Sequence, residues 1–216
     1  MRFSVLSAVA IILSVATPAA ADDDAFGVWL NPSVTADLDD GTAIEIETAQ
    51  RFRDADDGPD TYYGRIWIVQ DISDAVSISG GFERRINDGD SDETRFLQQV
   101  NLRSGIWRGR IRAEQRLVDD AGRMGLRLRT RGGISLPLDR EGRWSFDANA
   151  EGFWTLRSTL NGGQDGLTGL RTQVGVGYEV SDNLEVSLTY LRQQDIRDNR
   201  PDAVGHAPLI GIDFSF

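Results

Sequence analysis

Two neighbouring stretches carry arginine at short, mostly even intervals: Arg108, Arg110, Arg112 and Arg116, then Arg123, Arg127, Arg129 and Arg131. On a β-strand, even intervals put side chains on one face, because successive residues point to opposite sides of the sheet. A hairpin centred near Asp119-Asp120 sets Arg116 against Arg123, Arg112 against Arg127, Arg110 against Arg129 and Arg108 against Arg131. Glu114 then faces Gly125. Like charges directly across a ladder repel, and guanidinium groups do not lose their charge. Something anionic must therefore lie against them. Acids from across an enclosed lumen would make a salt-bridged plug; small mobile anions would make an anion site. Both readings stay open.

The same face should carry Arg51, Arg53, Arg65, Arg85, Arg95, Arg103 and Arg171. Its expected acids are Glu45, Glu47, Glu83, Glu114 and Glu151, with Asp147, Glu179, Glu185 and Asp213. Fifteen arginines against nine carboxylates make a basic interior in a chain of net charge −11, so loops and rims must hold the acid. All 23 basic residues are arginine.

Other chemistry is thin. His206 is the only histidine, and no nearby stretch fixes Ser181 or Ser187 beside it. A lipid-modifying hydrolase of the histidine-dependent kind is therefore a distant third reading. The acidic loops at 54–60 and 87–93 lack the ligand spacing of a calcium loop, and suit solvated contacts with lipopolysaccharide instead. The sequence shows no metal cluster, cofactor motif or nucleic-acid motif, and no cysteine.

The elements that must position these residues are strands. Alternation marks them at 26–38, 42–53, 61–72, 75–86, 94–103, 106–118, 123–138, 143–154, 170–180 and 184–194, with a last one at 208–216. Short turns alternate with longer polar loops, as in outer-membrane barrels. From residue 42 onward this gives ten strands. The segment 26–38 is an eleventh that sits outside the wall, or else a twelfth strand has been missed. Most aromatics share one parity and fall into two bands. Tyr62, Phe82, Phe96, Trp154 and Tyr190 belong to one rim; Trp107, Trp144, Tyr178, Phe214 and Phe216 belong to the other. Two girdles flanking an apolar band are what a membrane barrel needs. The fold class is thus an all-β, transmembrane, antiparallel up-and-down barrel of about 10–12 strands.

Residues 1–21 have a short positive start, an apolar middle and a small-residue end before Asp22, the pattern of a cleaved secretory signal. The barrel would be residues 22–216, exported to the bacterial outer membrane. The chain ends on a strand apolar at Pro208, Ile210, Ile212, Phe214 and Phe216. That ending resembles the C-terminal signal by which the barrel-assembly machinery takes up outer-membrane barrels, and would make Phe214 and Phe216 its key residues.

The segments E-T-R-F-L-Q-Q-V (93–100), R-A-E-Q-R-L (112–117), R-L-R-T-R (127–131), N-A-E-G-F-W (149–154) and T-Y-L-R-Q-Q (189–194), with Trp29, resemble a family of small proteobacterial outer-membrane proteins classed as a domain of unknown function. The resemblance implies a barrel and brings no activity, substrate or catalytic residue. The expected function is a narrow anion-preferring channel or anion-binding monomer, without cofactor. The alternative is a structural or interaction barrel with a closed lumen.

Overall fold

A computed structural model describes residues 23–39, 41–53 and 60–216. The expected signal segment 1–21 and most of the acidic loop 54–60 lie outside the described residues.

Eleven strands make one closed barrel. They are β1 (Asp23–Asp39), β2 (Thr42–Arg53), β3 (Thr61–Ser73), β4 (Val76–Asn87), β5 (Glu93–Ser104) and β6 (Trp107–Val118), then β7 (Gly125–Pro137), β8 (Trp144–Arg157), β9 (Gly166–Ser181), β10 (Leu184–Asp195) and β11 (Ala203–Ser215). Sequential strands pair antiparallel, and β1 closes the wall by pairing parallel with β11. The segment around 26–38 is therefore neither outside the wall nor the sign of a twelfth strand. In an up-and-down barrel an odd count makes the first and last strands run the same way, so their closing ladder must be parallel. Closure leaves no open edge, which a span through lipid requires.

One rim carries the short connections, such as 74–75 and 105–106; the other carries the longer loops 88–92, 119–124, 158–165 and 196–202. Gly105 sits at φ 55° in the β5–β6 turn, a conformation that glycine adopts without steric cost. Two boundaries differ from expectation. The long break after β8 shrinks to 158–165, and the last strand begins at Ala203 rather than 208. Ala203–Gly205 find partners on both sides, in β10 and β1, which extends the strand. Pro208 is tolerated because the β1–β11 register skips from Phe26–His206 to Trp29–Leu209, where no N–H from residue 208 is needed.

Alternation sorts the two faces. The outer face exposes Ile46, Ile66, Ile68, Ile78, Ile111, Val174 and Leu188 together with the aromatics of both expected bands, Tyr178 being the most covered of them. Phe82 and Phe96 face each other across β4–β5, and Trp144 faces Tyr178 across β8–β9 with ring centres 4.6 Å apart. Inside, β10, β11 and β1 contribute a small apolar cluster of Trp29, Leu191 and Ala207. Strands β2–β9 contribute most of the charge.

Candidate functional site

The lumen's middle is built from arginines that the strand period turns inward. Arg65, Arg85, Arg95, Arg110, Arg112 and Arg129 are all buried. An isolated guanidinium cannot be buried cheaply, and carboxylates on neighbouring strands meet most of them. Glu83, fully buried, accepts from Arg65 Nε at 2.8 Å and Arg85 Nη2 at 3.0 Å, and forms an ion pair with Arg95 Nη1 at 3.2 Å. Arg65 also reaches Glu47 at 2.6 Å, while Arg95 and Arg116 share Glu93. Glu114 takes Arg127 at 2.5 Å and Arg129 at 2.9 Å; Glu151 takes Arg129 at 2.7 Å and Arg110.

These ion pairs run along the wall. Almost every one joins residues on the same or adjacent strands, and Arg110–Glu151 skips only β7. The acids of a plug were expected from across the lumen; the neutralising carboxylates instead form a belt from Glu47 on β2 to Glu151 on β8. What crosses the lumen is arginine on aromatic. Arg112 of β6 lies over Trp67 of β3 at 4.8 Å, and Arg171 of β9 lies over Trp29 of β1 at 5.1 Å. Such contacts contribute about 0.5–2 kcal/mol each, more when dry.

Two cavities result. One of about 240 Å³ opens toward the long-loop half, and one of about 290 Å³ toward the short-turn half. Glu47, Arg65, Arg110, Arg112 and Arg131 line both, and so mark the constriction between them.

Three arginines of the lumen's middle have no carboxylate partner within ion-pair distance among the described residues. Arg51 stacks on Trp29 at 3.9 Å and leaves its buried Nε without an acceptor. Arg112 donates from Nε to Gln99 Oε1 at 2.7 Å. Arg131 stands opposite Arg110 in the β6–β7 ladder and opposite Glu151 in the β7–β8 ladder, and its guanidinium makes no side-chain hydrogen bond among the described residues.

The hairpin register differs from expectation by two residues. Arg110 faces Arg131, Arg112 faces Arg129, Glu114 faces Arg127, and Arg116 faces Gly125. This register cuts the arginine pairs across the hairpin from four to two and adds the Glu114–Arg127 ion pair, which explains its preference. Arg123 leaves the ladder altogether. It donates to the backbone oxygens of Ser158 and Leu160, pinning loop 119–124 to loop 158–165. Arg108 stays in the ladder opposite Gly133, with its side chain donating to the backbone oxygens of Gly105 and Trp107 at the short-turn rim. Arg103, 53% exposed, pairs there with Asp71. Two other arginine pairs appear across β5–β6, Arg95 facing Arg116 and Arg103 facing Arg108.

Of the expected lumen acids, Glu47, Glu83, Glu114 and Glu151 join the belt, while Glu45 lines the second cavity without an ion pair among the described residues. Glu93 was expected in a loop and is instead the first residue of β5, buried with Arg95 and Arg116. The lumen aromatics Trp29, Tyr63, Trp67 and Phe153 were not anticipated; their odd numbers, shared with the inward Arg51, Arg65, Arg85 and Arg95, carry the signal.

Nearer the short-turn rim the lumen turns acidic. Glu185 faces Asp213 on one side and Glu179 on the other, and Asp147 lies on β8 nearby. None of these four makes an ion pair among the described residues; Asp213 accepts from Ser33 Oγ and Asp147 from Ser145 Oγ.

His206 lies within β11, on the outer face. Its Nδ1 is 2.6 Å from Tyr190 Oη and its ring stacks on that tyrosine. Phe214 and Phe216 are exposed with ring centres 5.9 Å apart. The backbone of Phe216 continues the seam, donating to Thr35 O and accepting from Asp37 N, both at 3.1 Å.

Comparison with known proteins fits this geometry. The model of the family described as "Protein of unknown function (DUF2490)" matches residues 26–204. No curated protein matches the chain. Among solved structures, the NanC porin in a rhombohedral crystal form superposes with a TM-score of 0.56 at 10% identity, covering 85% of this chain and 91% of that one. The likeness is one of fold: a porin-like transmembrane β-barrel.

Proposed function

The chain belongs to the DUF2490 family, and from that premise we propose that it is an outer-membrane barrel whose narrow lumen binds small anions and passes them in preference to cations. One observation carries this reading. The buried middle of the lumen holds more arginines than carboxylates, and Arg51, Arg112 and Arg131 are left over. In a low-dielectric passage that surplus repels cations and attracts anions. The apolar outer face supports outer-membrane lipid as surroundings, and the exposed aromatic rims support contact with lipopolysaccharide and, through Phe214 and Phe216, with the assembly machinery.

The test is the zero-current potential across a potassium chloride gradient in a planar bilayer. Wild type should prefer chloride. Arg131→Glu should reduce or reverse that preference without unfolding the barrel, because Arg131 holds no ion-pair partner among the described residues. A conducting wild type that prefers potassium overturns the reading.

A second reading, a closed interaction barrel, is favoured by the constriction where Arg112 meets Trp67. It requires a wild type silent in bilayers. The enzyme reading has little support. His206 is paired with Tyr190, and no serine or carboxylate among the described residues hydrogen-bonds to it.

A further inference from the structure

On the strength of the anion-binding lumen, and resting on that reading, we propose a class of ligand: the cavity in the long-loop half is a site for a small multivalent tetrahedral oxyanion, of the phosphate class. At about 240 Å³ it has room for roughly eight waters at about 30 Å³ each. That suits a compact anion with some of its water.

Three features favour a multivalent oxyanion over chloride or a sugar. The first is charge. Arg51 and Arg131 both line this cavity without a carboxylate partner, so a monovalent ion leaves part of the surplus unmet. The second is directionality. The guanidiniums of Arg51 and Arg131 line this space and hydrogen-bond to no side chain or backbone oxygen among the described residues, so their N–H donors are unspent. An oxyanion supplies several acceptor oxygens in the geometry that guanidinium forks match. The third is the state of the aromatics. Trp29 is covered by Arg51 and Arg171, Tyr63 by Arg51, Arg65 and Arg85, and Phe153 by Arg127, Arg129 and Arg171. A sugar stacking on any of these rings would have to compete with guanidiniums already against it. The cavity also lies within the wall, lined by inward-facing residues, so the ligand is a soluble oxyanion rather than a lipid headgroup.

The experiment titrates inorganic phosphate, with nitrate as the monovalent control at matched ionic strength, into the full barrel refolded in a detergent without phosphate groups. Binding is read from the shift in unfolding temperature, and from block of chloride current where current is seen. Phosphate should act at concentrations at least tenfold below nitrate. Arg51→Gln and Arg131→Gln should each weaken that effect severalfold, with heat-modifiability on gels showing that the variants still fold. Phosphate acting no more strongly than nitrate on wild type overturns the site. If potassium chloride gradients still show anion preference, the broader reading survives that failure. A shift produced by phosphatidylglycerol micelles and not by phosphate would also overturn it, since the group bound would then be a headgroup.

Discussion

The Arg112 guanidinium on β6 stands 4.8 Å from the centre of the Trp67 ring on β3, two side chains meeting inside the lumen from strands that are not neighbours. This contact braces the constriction between the two cavities. It depends on a cation that has no carboxylate to hold it elsewhere.

Replacing the ring tests the brace. Trp67→Ala should join the cavities and raise single-channel conductance above wild type, at a cost of about 3–5 kcal/mol in stability for removing a large buried side chain. Trp67→Phe should keep most of the constriction. Unchanged conductance in a folded Trp67→Ala barrel would show that the narrow point lies elsewhere.

Trp67 itself is seated on Gly81, its direct partner across β3–β4, and a Cβ at Gly81 would lie 2.3 Å from the ring. Gly81→Val should therefore push the ring off its seat and destabilise the barrel by about 1–3 kcal/mol. Gly80→Val, where an added Cβ meets nothing within 4 Å, should be far milder. Urea unfolding of the two variants makes the comparison.

Glu151 is shared by Arg110 and Arg129, with Arg171 at 3.9 Å. Glu151→Gln leaves buried guanidiniums short of charge and should cost about 3–5 kcal/mol. Glu45→Gln, which breaks no ion pair among the described residues, should cost much less. Equal unfolding midpoints for the two would remove the belt's importance.

The terminal residue can be divided into backbone and ring. Deleting Phe216 removes two hydrogen bonds to β1 as well as the aromatic, whereas Phe216→Asp keeps the backbone in the seam. If the ring is the assembly signal, both variants should fail to yield a heat-modifiable membrane protein. Success of Phe216→Asp alone would assign the role to the seam.

In loop 196–202, Asp202 accepts from Gln194 Nε2 at 2.6 Å and Arg197 N–H at 3.0 Å, which hold its carboxyl below the usual range. A lowered carboxyl stabilises the folded loop at pH above its unfolded value and ceases to as pH falls through its folded one. Protease cleavage in this loop should therefore rise only in acid, below about pH 4, and Asp202→Asn should show no such rise.

Much of the fold was legible because strand period is a property of single residues. Ile66 and Ile68 share a parity and face outward; Arg65 and Glu83 share the other and face in. The hairpin register was not legible in the same way. Beside the Glu114–Arg127 pair, it leaves Arg123 free of the ladder to reach Ser158 and Leu160, residues more than thirty positions away on another loop. Glu93 was missed for a related reason, since its place in β5 rests on pairing with Arg85 and Val118 rather than on its neighbours in sequence. The closing of β1 on β11 is a property of the strand count, which no single segment displays.

In the proposed channel, the surplus of arginine in the lumen's middle and the carboxylates Asp147, Glu179, Glu185 and Asp213 toward the short-turn rim would stand in series along the barrel. Fixed charges of opposite sign in series form a junction. Under one polarity, anions from the basic end and cations from the acidic end are driven toward each other and the path fills with carriers; under the other, both are drawn out and it empties. A barrel of this construction that conducts as proposed should rectify, passing more current in one direction than in the other at equal voltage. Neutralising the four acids should straighten its current–voltage curve.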